Sequence, residues 1–210
     1  MSVRRTAAGS AVLLALFTAW TVATATGRAW PLDRTVLGWR LATHSRVVEP
    51  VRLLSVLGGS EVTAVVVVLL IVVAVAAQAA RRPAAVLALL LVLSGGVEYV
   101  LKRLLDHPPP LGIPGGTDPH LVFLATPYSY PSGHTLRVLL VVAALLPLAV
   151  ARSRWLAVPL LLGMLAVLAS RVLLAQHWAS DVIGGALLAA GLMPWLVLAR
   201  RPSPSVVEAA

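Results

Sequence analysis

Residues 155–181 read WLAVPLLLGMLAVLASRVLLAQHWASD. The run Trp155–Leu174 has the length and apolar content of a membrane-spanning helix, because a hydrocarbon core of about 30 Å takes roughly 20 such residues. Its far end is not apolar. Ser170 and Arg171 sit in the last turns, and His177 and Asp181 follow directly. A spanning helix that delivers a cation, an imidazole and a carboxylate to one membrane edge states both the fold and the place to look for chemistry.

Five further runs resemble it: Ala11–Thr26, Glu61–Ala80, Ala84–Leu101, Thr135–Ala151 and Ser180–Ala199. The whole chain of 210 residues is 59% hydrophobic and 12% charged, with mean hydropathy +0.91. A soluble domain is typically about a quarter charged. The expected fold is therefore all-α: a polytopic membrane bundle of about six transmembrane helices, with an interfacial outer helix, forming a single domain over residues 1–210. The first run also reads as a cleaved leader, with Arg4-Arg5 ahead of it and Ala23-Thr24-Ala25 as a cleavage-like site. Cleavage would leave five spans.

The net charge of +9 comes mostly from Arg. These residues punctuate apolar runs instead of forming a basic face, which argues against nucleic acid as a partner and for a lipid bilayer. The chain has no Cys, which excludes disulfides, thiolate catalysis and Cys-metal sites. Arg4-Arg5, Arg81-Arg82, Arg152 with Arg154, and Arg200-Arg201 fall on one side if six helices alternate. The positive-inside rule makes that side cytoplasmic. Both termini are then expected in the cytoplasm, most simply of a bacterial cytoplasmic membrane, and the polar motifs fall on the outer face.

Two outer connections follow from this topology. In Gly27–Ser60, Arg28, Arg34, Arg40, Arg46 and Arg52 recur at even spacing. Each step turns a helix by about 240°, so they form no stripe. An interfacial helix anchored by Trp39 with snorkelling Arg side chains is the expectation; attraction of an anionic headgroup is the functional rival. The second connection, His107–Tyr130, is rich in Pro and Gly and resists regular structure.

Three short stretches carry candidate chemistry. Pro131-Ser132-Gly133-His134 opens the fourth span. Ser132 suits an N-cap, Gly133 lets backbone approach a ligand, and a helix start offers unpaired N–H groups to an anion. His134 stands where it can donate a proton. The plainer reading is a helix cap with an interfacial His. In the second stretch, His177 and Asp181 are four apart and neighbours on a helix. An Asp on one ring nitrogen fixes the tautomer and frees the other nitrogen, and Arg171 offers a fork of donors to phosphate oxygens. The third holds Lys102, with Glu98 one turn earlier as a possible ion-pair partner. Glu98 is an acid within an apolar run, which commonly marks a functional interior. Asp106, His107, Asp118 and His120 lack ligand spacing, so no metal site is expected.

With these residues in view, the chain resembles the type 2 phosphatidic acid phosphatase family, which is related to the vanadium haloperoxidases. The family pattern is K-x6-R-P, then P-S-G-H, then S-R-x5-H-x3-D. The second and third motifs are complete here, and the resemblance spans about residues 84–199. It implies a metal-independent and cofactor-free lipid phosphate phosphatase. His177 would be the nucleophile forming a phosphohistidine, Asp181 would orient it, and His134 would protonate the leaving oxygen. Lys102, Ser132, Gly133 and Arg171 would hold the phosphate. The substrate would be a membrane lipid phosphate, either phosphatidate-like or an isoprenyl diphosphate. The first motif departs: Pro109 stands where the family has Arg. Arg103, His107 and Arg137 are candidates to replace that cation. The departure also motivates the alternative of a catalytically impaired lipid-phosphate-binding or lipid-moving protein. A small-solute transporter would need a polar path through the bilayer, and only Glu98 lies well inside the apolar runs.

Overall fold

The computed structural model describes residues 3–39, 46–76, 81–110 and 127–200. Among these, eight helices and no strand occur: α1 Val3–Ala25, α2 Trp30–Leu37, α3 Val48–Val56, α4 Ser60–Ala76, α5 Arg81–Leu104, α6 Gly133–Arg152, α7 Arg154–Leu173 and α8 Ala179–Ala199. Six stretches are long and apolar enough to cross a bilayer: α1, Val48–Val73, and α5 to α8. The protein is an all-helical integral membrane bundle. Apolar side chains such as Val92, Leu162 and Val65 point outward from it, as a lipid-facing surface requires.

Two boundaries differ from the sequence expectation. The first helix begins at Val3 and includes Arg4-Arg5, because Arg and Ala are strong helix formers whatever the solvent. The second spanning stretch begins at Val48 instead of Glu61, and the expected end at Ala80 lies outside the described residues. Leu57-Gly58-Gly59 reads as a break in the sequence, yet it joins α3 to α4 with only a local turn. The Gly27–Ser60 connection thus holds two short helices, and α2 opens with Pro31 near its start, where a missing N–H costs nothing.

The first and last spans are partners. Ser10 Oγ donates to the Gly191 carbonyl at 2.5 Å, and Trp195 Nε1 donates to Ser10 Oγ at 3.1 Å. A Cβ on Gly191 would stand 2.7 Å from Leu14 Cδ2. Small residues allow this close backbone approach where no water is present to drive association. The apolar core gathers Phe17, Leu87, Leu90, Leu136, Leu140 and Leu188 from four helices. Pro147 lies inside α6, so it gives no N–H to the Ala143 carbonyl one turn back. Arg200 Nη2 fills that place, donating to Ala143 O at 3.1 Å and Ala144 O at 2.5 Å.

The turn from α7 to α8 determines the site. Gln176 N donates to Arg171 O at 3.1 Å and Ala175 N to Val172 O at 2.9 Å, the paired bonds of a Schellman stop. Its left-handed residue is Ala175, at φ 50°, a position where glycine would carry no Cβ penalty. The chain reverses at once, and His177 N also donates to Arg171 O at 3.0 Å. The five-residue gap between Arg171 and His177 is the length of this stop. The ends of α5 and α7 and the starts of α6 and α8 then meet at one end of the bundle. Arg81, Arg152, Arg154 and Arg200 mark the other.

Candidate active site

Trp178 is the N-cap of α8, which places Asp181 at the third helical position. Its side chain reaches back over the helix start, as acids at that position do. Asp181 Oδ2 accepts from Trp178 N at 2.9 Å and lies 3.1 Å from His177 Nδ1. An ionised carboxylate only accepts, so the ring proton belongs on Nδ1 and the lone pair on Nε2. The spacing of His177 and Asp181 is therefore a helix-capping geometry used to set a tautomer. Burial holds the His177 imidazole below its ordinary value, against the pull of Asp181, and the Arg171 and Lys102 cations push it the same way. This favours the neutral ring, whose Nε2 keeps its lone pair.

Ser132 caps α6, its hydroxyl accepting from Thr135 N at 3.5 Å, and Ser132 N donates to the Asp181 carbonyl at 3.0 Å. The starts of α6 and α8 are thus hydrogen-bonded to each other. Two glycines of α8 make room: a Cβ on Gly185 would stand 2.5 Å from Ser132 O, and one on Gly184 2.6 Å from the Tyr130 ring. His134 is buried in the first turn of α6. It packs on the α3–α4 junction, where a Cβ on Gly58 would stand 3.0 Å from His134 Cδ2 and 2.7 Å from Val167 Cγ1.

Arg171 is 1% exposed and donates to the Ser55 hydroxyl of α3. Lys102 Nζ lies 2.9 Å from Glu98 Oε1, and Arg137 Nη1 lies 3.0 Å from Glu98 Oε2. That carboxylate packs on Gly133, where a Cβ would fall 2.1 Å from Glu98 Oε1. Glu98 therefore joins the ends of α5 and α6 where Lys102, Gly133 and Arg137 meet. Of the two Arg candidates for the absent motif cation, Arg137 lies on this cluster. Arg103 is exposed, with its guanidinium 5.2 Å from the Tyr99 ring centre.

Three residues here were not assigned a place by the sequence. Ser55 meets Arg171. Asp33 is buried and accepts from Ser180 N and Ser180 Oγ, both at 2.8 Å; burial raises its carboxyl above the ordinary value. His107, considered only as a substitute cation, has its Nε2 3.3 Å from Asp181 Oδ1. Ser55 and Asp33 lie outside the motifs, and His107 falls at one of the unspecified positions of the first. Asp33 carried only a faint signal, as an acid within an Arg-rich segment. Asp118, His120 and Arg40 lie outside the described residues.

The model of the PAP2 superfamily matches residues 83–203, more than half of the chain. The chain belongs to the PAP2 superfamily. A solved structure, described as the first transmembrane PAP2-type phosphatidylglycerolphosphate phosphatase from Bacillus subtilis, superposes with a TM-score of 0.71 at 19% identity. The match covers 90% of this chain and 94% of that one, so the likeness includes the helices that precede the family match. No curated protein sequence matches the chain. Membership of the PAP2 superfamily supports a membrane phosphatase, and the transmembrane PAP2 fold accounts for the meeting of four helix ends. Chemically, a neutral imidazole, a second imidazole at a helix start and several cations suit a tetrahedral oxyanion.

Proposed function

We propose that the protein is a lipid phosphate phosphatase that works through a phosphohistidine at the outer membrane face. The observation that carries this reading is the His177–Asp181 pair, in which the carboxylate takes Nδ1 and leaves Nε2 for attack. Nε2 attacks phosphorus, the P–O bond to the lipid breaks, and His134 gives its proton to the leaving oxygen. Water then attacks the phosphohistidine, His134 takes the proton from that water, and inorganic phosphate leaves. Lys102 and Arg171 hold the non-bridging oxygens with the Ser132 hydroxyl and the Gly133 N–H, and Arg137 adds charge from the Glu98 cluster. Phosphoryl transfer depends mainly on positioning and charge stabilisation, and these cations supply both without a metal ion.

The substrate in this reading is a phosphatidate-like monoester or an isoprenyl diphosphate, whose tail stays in lipid while its headgroup enters the site. Arg81, Arg152, Arg154 and Arg200 at the opposite end of the bundle support the outer-face placement. The test is phosphate release by purified protein in detergent over phosphatidate, phosphatidylglycerophosphate and isoprenyl diphosphates. Release that survives a chelator and is inhibited by vanadate supports the reading. Binding of these lipids without release would favour the non-catalytic alternative that Pro109 raises. Loss with chelator, restored by a divalent ion, would overturn metal independence.

A further inference from the structure

Asp181 is fully buried, and its two oxygens face different partners. Oδ2 takes Trp178 N and the His177 ring. Oδ1 faces a second imidazole, His107 Nε2, at 3.3 Å. A buried carboxylate oxygen with no donor is costly; the two atoms lie off hydrogen-bond alignment, neither has another hydrogen-bond partner among the described residues, and a small turn of the His107 ring would bring its N–H onto Oδ1.

His107 is itself held on several sides. Its carbonyl accepts from Ser129 N at 2.9 Å and Ser129 Oγ at 3.0 Å. The next carbonyl, of Pro108, accepts from Trp178 Nε1 at 2.7 Å. The ring is 6% exposed and lies among Trp30, Tyr130 and Trp178, with centroids 5.8, 6.1 and 6.3 Å away. Asp181 and the more distant Asp33 are the charged groups that face it. This is more support than a filler of apolar space requires. His107 also lies two residues before Pro109, where the family motif has Arg. The segment leaving α5 thus brings an imidazole to the aspartate.

We propose that His107 is a positioning residue: its Nε2–H holds Oδ1 of Asp181, which fixes the carboxylate plane so that Oδ2 stays on His177. The inference rests on the reading of His177 as nucleophile. Positive charge grows on the His177 ring as Nε2 attacks, so the bond from Nδ1–H to Asp181 strengthens in the transition state. A loosened carboxylate then lowers kcat and leaves KM in place, since His107 makes no contact with the phosphate in this scheme.

The experiment compares His107→Phe, which keeps an aromatic ring but has no donor, with His107→Gln, whose amide nitrogen reaches about as far as Nε2. The readouts are kcat, KM and the rate of phosphoenzyme formation, with thermal stability in detergent as the check on folding. Phe is expected to lose on the order of 10²-fold in kcat at unchanged KM, and Gln to recover most of it. Phe at the wild-type rate overturns the proposal, and so does Gln as impaired as Phe. If Phe does not fold, Gln decides: kcat near wild type supports the proposal, and kcat below about a tenth overturns it. His177→Ala in the same assay separates the two levels. If it keeps turnover, the underlying reading fails; if it is dead while Phe is unimpaired, only the His107 inference fails.

Discussion

Arg137 of α6 donates to Glu98 of α5 across 3.0 Å, and the other oxygen of the same carboxylate lies 2.9 Å from Lys102. One buried acid thus sets the positions of two cations at the mouth of the site. The three side chains are 12–18% exposed, so water does little to screen them. Removing one partner of a buried ion pair typically costs about 3–5 kcal/mol, because the other charge is left uncompensated. Glu98→Ala strands two cations and should fall in that range. Arg137→Ala leaves Lys102 on Glu98 and should cost clearly less. Thermal melts in detergent would order the two, and the reverse order would contradict this account of Glu98.

The two imidazoles of the proposed mechanism should separate by leaving group. His134 is assigned the proton, so His134→Ala should lose about 10²–10⁴-fold on a lipid ester and recover part of that on an activated aryl phosphate. His177→Ala should lose more on both, and acid-labile phosphate trapped on the enzyme should vanish only there. Label found on His134 would reverse the assignment.

The pH profile should carry the mark of His177. Its protonated form cannot attack, and burial with the neighbouring cations holds its pKa below the ordinary 6.5. The sign follows: kcat/KM, corrected for the substrate's own ionisation, stays level as pH falls through 6.5 and drops only further into acid. Lys102 presses this value down, so Lys102→Met should move the acid limb upward, whatever it does to the rate. A limb that stays in place would show that the two groups do not sense each other.

Asp33 should matter through hydrogen bonds more than through charge. Its carboxylate accepts from the backbone and the hydroxyl of Ser180, which is fully buried. Asp33→Ala leaves both donors without that acceptor, at about 1–3 kcal/mol for each buried group left unpaired. Asp33→Asn keeps an oxygen for Ser180 N and should retain most of the stability. Equal melting temperatures for the Ala variant and the wild type would remove Asp33 from the site's support.

What the sequence disclosed follows from range. The spans were legible because the bilayer demands long apolar runs, and each run is local. Arg171, His177 and Asp181 were legible because the stop after α7 and the cap of α8 confine their spacing to a few residues, and Ser132 and His134 because both belong to the start of α6. The structure brings these stretches to one end of the bundle; their separate roles stand as proposals. Ser55, Asp33 and the placement of His107 were not legible. Ser55 reaches Arg171 only because α3 crosses α7, and Asp33 reaches Ser180 across most of the chain. The start of the second span was misjudged for a related reason. Gly58-Gly59 has the look of a loop, but Gly58 is required there by the nearness of His134 and Val167, a packing demand that composition does not reveal.

The pairing of α1 with α8 has a consequence for how the molecule is made. Trp20 Nε1 donates to Ser180 O at 3.0 Å, and Thr21 shares a 2.8 Å hydrogen bond with the Tyr130 hydroxyl. Synthesis runs from the N-terminus, so of the described spans α1 leaves the ribosome before the others and α8 after them. Helix α1 must wait in the membrane without its main partner until α8 has followed the spans between, and only then can the residues around Ser180 settle. A nascent chain stalled before α8 would be inserted but inert. Such a dependence delays the chemistry until every span is in place.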